Sequence, residues 1–98
     1  MLKTYFLDAK KRLLSPLLLD PLRFLDGLYT NIGCQVVECV PLTTTLLAWV
    51  DEEISTPSTF GAIVGNVVIT GPTDEDGDVT DVQVSIELVA RLLGVDHV

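Results

Sequence analysis

Residues 34–50, CQVVECVPLTTTLLAWV, decide the fold. Cys34 to Val40 is rich in valine and reads as a strand. Pro41 keeps it from running on as a central strand, because proline donates no ladder hydrogen bond. Thr44 to Val50, carrying Leu46, Leu47 and Trp49, is a second strand. The short loop between them favours an antiparallel pair.

Toward the C-terminus, Asp51-Glu52-Glu53 leaves the sheet, and Ser55 to Ser58, with Pro57, is loop. Thr59 to Val64 fits a helical turn or an extended piece equally. Gly65-Asn66 is a turn signal, Val67 to Thr70 is a β-branched strand, and Gly71-Pro72 ends it. Thr73 to Asp78 is a polar, acidic loop. Thr80 and Gln83 have capping-box spacing. Val82, Ile86, Val89 and Leu93 then share one helix face, and Gly94 is the natural stop.

Toward the N-terminus, Lys3 to Leu7 reads as an edge strand and Asp8 to Lys11 as a turn. Arg12 to Leu14 reads as a short returning strand ended by Ser15-Pro16. Asp20-Pro21 starts a helix, since Asp is a good N-cap and Pro suits the first helical position. Leu22, Leu25 and Tyr29 recur at helical spacing, widened by Phe24 and Leu28, up to a stop at Gly33. The expected architecture is one α+β domain over residues 1–98, its core about 3–93. It has a small, mostly antiparallel sheet with two helices packed on one face.

Composition narrows the function. The 98 residues are 48% hydrophobic, which excludes a disordered tail. Fourteen acids against six bases give a net charge of −8, a poor balance for gripping nucleic acid directly. The charge is uneven: residues 1–33 hold five bases and three acids, and residues 34–98 hold eleven acids and Arg91 alone. The leucine-rich run from Leu13 to Leu19 is broken by Ser15 and Pro16 and falls short of the roughly 20 apolar residues a membrane span needs. Asp8 falls too early for a secretory signal. A cytoplasmic location is expected. Cys34 and Cys39, five apart on one strand, point to opposite faces and do not bridge.

The usual signatures of chemistry are missing. His97, the one histidine, lies beside the C-terminus, and no nucleophile is placed with it. Residues 61–66, GAIVGN, lack the Lys-Ser/Thr of a phosphate-binding loop, and no dinucleotide fingerprint appears. Asp74, Asp76 and Asp78 have the spacing of the first three ligands of a calcium loop. In that frame the required glycine falls at Val79 and the terminal glutamate at Ser85, so at most a weak divalent-ion site follows. Asp51, Glu52 or Glu53 with Glu38 would make a poor glycosidase pair, because adjacent acids in a turn stay solvated. No catalytic, cofactor-binding or metal-binding residue is assigned, and no cofactor is expected.

Recognition is the reading that remains. If the loops after the two strands leave the sheet at one end, Asp51, Glu52, Glu53, Asp74, Glu75, Asp76, Asp78 and Asp81 share one rim. Such a rim would steer association with a protein partner that has a basic surface. The alternative is a small-ligand-binding module or sponge, with Trp49, Tyr5, Tyr29 and Phe60 lining a pocket or the face of a homodimer.

Two blocks also resemble a known family. The first runs through Gly27-Leu28-Tyr29, Ile32-Gly33-Cys34, Val36 to Val40 and Leu47 to Glu53. The second joins Val64-Gly65-Asn66-Val67-Val68-Ile69-Thr70-Gly71-Pro72 to Asp74-Glu75-Asp76-Gly77-Asp78-Val79-Thr80-Asp81. Together they resemble the bacterial and phage proteins grouped as domain of unknown function 3846, over most of residues 3–93. The resemblance implies a phage or mobile-element accessory protein acting on a host component, in counter-defence or by mimicry of DNA. It carries over no catalytic residue, because the family has no agreed ones.

Overall fold

The computed structural model describes residues 1–53 and 65–98. One six-stranded sheet, ordered β3-β4-β5-β1-β2-β6, frames the molecule. The strands are β1 (Leu2–Asp8), β2 (Leu13–Leu19), β3 (Val37–Thr43), β4 (Leu46–Asp51), β5 (Val67–Thr70) and β6 (Asp96–His97). All pairs are antiparallel except β2 with β6. Helices α1 (Phe24–Ile32) and α2 (Ile86–Leu93) complete an α+β fold. No described helix is long and apolar enough to cross a membrane. The Ser55–Ser58 loop, the open choice at Thr59–Val64 and Phe60 lie outside the described residues.

The expected pair of strands is β3 with β4, in which Val40 faces Ala48 and Cys39 faces Trp49. Both strands thought to end at a proline run through it. β3 is an edge strand, so Pro41 is tolerated there, next to a register shift between Pro41 and Thr43. β2 continues past Pro16 to Leu19 and pairs with β1 throughout. Asp96 N and Val98 N donate to Arg12 O and Leu14 O, so alternate backbone groups of β2 point away from β1. Pro16 falls on that outward set, beyond the reach of β6, where no N–H is required. β1 itself lies inside the sheet, between β5 and β2.

The helices lie on opposite faces of the sheet, which corrects the expectation of one face. Val67 and Ile69 of β5 join Leu7, Leu14, Leu46, Ala48 and Val50 beneath Val89 and Ala90 of α2. Val68 points the other way and packs with Leu2 and Leu19 beneath Leu28 and Ile32 of α1. All four residues of β5 are buried. A strand apolar on both sides needs cover on both, and leaving Val68 wet would forgo about 1.5–3 kcal/mol.

Helix starts and stops follow their signals with shifts. Asp20 Oδ1 accepts from Leu22 N at 2.9 Å, and Pro21–Arg23 forms a single 3₁₀ turn before α1. That turn rotates the helix face. Phe24, Leu28 and Ile32 point inward, whereas Leu22 is 92% exposed and Leu25 is half exposed. Gly33, at φ 79°, closes α1 with its N–H on Tyr29 O. α2 is capped by Ser85, later than Thr80, because residues 81–84 are tied to β1 by hydrogen bonds. Asp81 Oδ1 accepts from Lys3 N at 2.8 Å, Val82 N donates to Lys3 O at 3.0 Å, and Tyr5 OH donates to Val84 O at 2.7 Å.

Candidate functional site

The eight carboxylates singled out from the sequence fall into groups at opposite ends of the sheet. β4 and β5 run antiparallel, with Leu47 facing Thr70 and Trp49 facing Val68. Asp51 therefore sits at the entry of β5, and the exit of β5 at Gly71 sits beside Leu46. The length of β4, Leu46–Asp51, keeps the two ends about 17 Å apart at ~3.4 Å per residue. The single rim is not formed.

Asp51, Glu52 and Glu53 share their end with the basic turn Lys10-Lys11-Arg12. Ala9 N, in that turn, donates to Asn66 Oδ1 at 3.0 Å, beside the entry of β5. With β5 lying between β4 and β1, strand spacing puts the two charge groups roughly 10 Å apart. That is about one Debye length at 0.1 M salt, so their fields offset each other.

The other end is different. Residues 72–80 form a small hairpin. Gly71 N donates to Thr80 O and Thr80 N to Pro72 O, both at 3.1 Å, and Thr73 bridges Val79. At the tip, Asp74 N donates to Asp78 O at 2.8 Å and Gly77 N to Asp74 O at 3.1 Å. Asp74 Oδ1 accepts from Asp76 N at 2.9 Å and from Asp78 N at 3.0 Å. Gly77 takes φ 82°, the left-handed turn that glycine adopts without steric cost. Asp74, Glu75, Asp76 and Asp78 are all exposed on this tip. Asp81 is half buried, and its carboxylate holds the backbone of Lys3.

Asp74, Asp76 and Asp78 each place a carboxylate oxygen within 4.8 Å of the others. They are the described residues best placed to meet a divalent ion. One Asp74 oxygen already serves two backbone N–H groups, and the rest of a calcium loop is missing from Val79 and Ser85. The arrangement is first a source of negative field.

A cleft of about 370 Å³ adjoins the hairpin. Leu2, Pro21, Leu22 and Phe24 line one side, and Gly77, Asp78 and Val79 the other. The Phe24 ring meets Trp49 edge to face, with centroids 5.1 Å apart. Trp49 Nε1 donates to Thr70 Oγ1 at 3.0 Å, and the buried Thr70 hydroxyl donates to Gly71 O at 2.9 Å. The only tryptophan thus stands between the cleft and the root of the hairpin. Leu22 is the cleft residue that the helical spacing misassigned. The 3₁₀ turn Pro21–Arg23 places it ahead of α1.

Among the described residues, Tyr5 and Trp49 do not line a common pocket. Tyr5 packs against the α2 side of the core and Trp49 against the α1 side. Neither thiol is shifted toward the thiolate. Burial pushes the Cys34 thiol above its ordinary range and the charges of Asp51 and Glu53 add to this; burial does the same for Cys39. Both cysteines are free. His97 lies on β6, exposed, with Nδ1 3.0 Å from Val98 O. No family model, curated protein or solved structure matches this chain.

Proposed function

We propose that this protein is a non-enzymatic binding protein that docks a basic surface of a partner protein through the 72–80 hairpin. Asp74, Glu75, Asp76 and Asp78 supply the electrostatic contact, and the adjoining cleft takes an apolar side chain. One observation carries this reading. Four exposed carboxylates on a hydrogen-bonded tip stand beside a cleft lined by Leu2, Pro21, Phe24 and a Leu22 that is 92% exposed. An apolar anchor with a charged border is the usual anatomy of a protein interface. The border sets association rate and orientation, and the anchor supplies most of the affinity.

Mimicry of DNA is the weaker form of the proposal. It needs carboxylates spread along one face in place of a phosphate backbone, and the hairpin concentrates them at one tip. The resemblance to a phage and mobile-element family supports a host protein as the partner and a role in counter-defence. Location in the host cytoplasm belongs to the same proposal.

The test uses a short synthetic peptide with lysine and arginine flanking a central leucine, titrated while Trp49 emission is followed. Binding should weaken steeply from low to high salt. It should be lost when Asp74, Glu75, Asp76 and Asp78 are all replaced by their amides. Equal binding by the amide variant, or binding indifferent to salt, would refute the proposal.

A further inference from the structure

We propose that the outer face of α2 is a homodimer interface, closed by a second copy of this chain across a two-fold axis. A surface helix ordinarily carries an apolar stripe inside and polar residues outside. α2 reads IELVARLL, so all but two of its eight residues are apolar. Val89 and Ala90 are 0% and 2% exposed and face the sheet. Leu88 and Leu92, one turn apart, are 54% and 55% exposed and face outward. A helix that is apolar on both sides is the pattern of one covered on both sides.

Charge identifies the cover. The two charged residues of α2, Glu87 and Arg91, are also one turn apart and lie along the same flank of the leucine pair. In an antiparallel helix pair related by a two-fold axis, each flank meets its own copy with the direction reversed. Leu88 then packs on Leu92 of the second copy, while Glu87 comes within reach of the second copy's Arg91, and the reverse. A second copy is therefore the complement of this face in both apolarity and charge. α2 lies on the opposite side of the sheet from α1 and the cleft, so this pairing leaves the acidic hairpin free. An eight-residue helix is only about 12 Å long, so the interface is small and the dimer is of the weak, concentration-dependent class.

Sedimentation equilibrium of the full chain over a wide concentration range tests this. A monomer–dimer equilibrium is expected. The double replacement Leu88→Gln and Leu92→Gln should give a monomer with unchanged far-ultraviolet circular dichroism, because both side chains lie outside the core. Glu87→Arg and Arg91→Glu should each raise the dissociation constant about tenfold, and the two together should restore it to within about threefold. A monomer at every concentration overturns the proposal. So does a dimer that survives the glutamine replacements, failure of the double charge reversal to recover, or assembly beyond the dimer.

Discussion

Asp74 holds the acidic hairpin in two ways, and a pair of substitutions separates them. Its Oδ1 accepts two backbone N–H groups, at 2.9 and 3.0 Å, and its carboxylate contributes to the field at the tip. Asp74→Asn keeps an acceptor oxygen in place and removes the charge. Asp74→Ala removes both. The tip is exposed, so the freed N–H groups return to water, and each hydrogen bond is worth about 0.5–1 kcal/mol. Losing both costs about 1–2 kcal/mol. A chain of 98 residues unfolds with about 0.2 kcal/mol/K of entropy, so the alanine variant should melt about 5–10 °C lower. The asparagine variant should lose about 2 °C or less. Melting followed by Trp49 emission measures this, because Trp49 is bonded to Thr70 at the hairpin's root. Titration with the basic peptide at low salt measures the rest. The asparagine variant should bind about threefold more weakly than the parent, through charge alone, and the alanine variant more weakly again. Coincident melts of the two variants would refute the claim that Asp74 organises the tip. Parent-like binding by the asparagine variant would refute the electrostatic role of this residue.

Three further outcomes follow from the same region and from β1. Thr70→Val removes the acceptor of Trp49 Nε1 from a fully buried site and should destabilise the fold by about 1–3 kcal/mol, with a shift in Trp49 emission; Thr70→Ser should keep the emission. Gly71→Ala would drive a Cβ into the carbonyl of Asp81 and against Thr80 Oγ1, and backbone cannot move aside as a flexible side chain can. A loss of about 1–3 kcal/mol in denaturant unfolding is expected. Burial, and then the charge of Glu87, push the Tyr5 hydroxyl above its ordinary 10.0. Its folded value exceeds the unfolded one, so its contribution to stability is complete below pH 10 and is lost as pH rises through the folded value. Unfolding titrations at alkaline pH should show a shallower decline for Tyr5→Phe. That variant starts about 1 kcal/mol lower, for want of the 2.7 Å bond to Val84 O.

Much of the local structure was legible because it follows from local chemistry. β5 spans Val67–Thr70, as its β-branched run and flanking glycines imply. The Asp20 cap, Gly33 and Gly94 all do what their side chains, or lack of one, dictate. The errors share a cause. Pro16 and Pro41 signal strand ends in the sequence, yet each lies where an outer edge leaves its missing N–H without consequence, and edge position is a property of the assembled sheet. The same holds for the helices. The unbroken apolar run of β5 already meant burial on both faces, and two-sided burial requires helices on both sides.

The placement of the acids makes the point most sharply. Asp51–Glu53 follows β4 and Asp74–Asp78 follows β5, and neighbouring antiparallel strands necessarily end at opposite edges of a sheet. A single rim requires both loops to leave the sheet at one end, and antiparallel pairing of β4 with β5 forbids that. Once the ends are separated, the groups become unequal. One lies within about a Debye length of Lys10, Lys11 and Arg12, and its field is offset before it reaches a partner. The other crowns a hairpin tied to β1 through Asp81 and Lys3, next to the cleft lined by Leu22 and Phe24. Lys3 and Arg23 follow the cleft residues Leu2 and Leu22, yet the four exposed carboxylates of the tip outnumber them, so a partner attracted over long range would be guided to the hairpin end. There the exposed Leu22 can exclude water from the contact, and that is why the recognition role rests on four of the eight carboxylates.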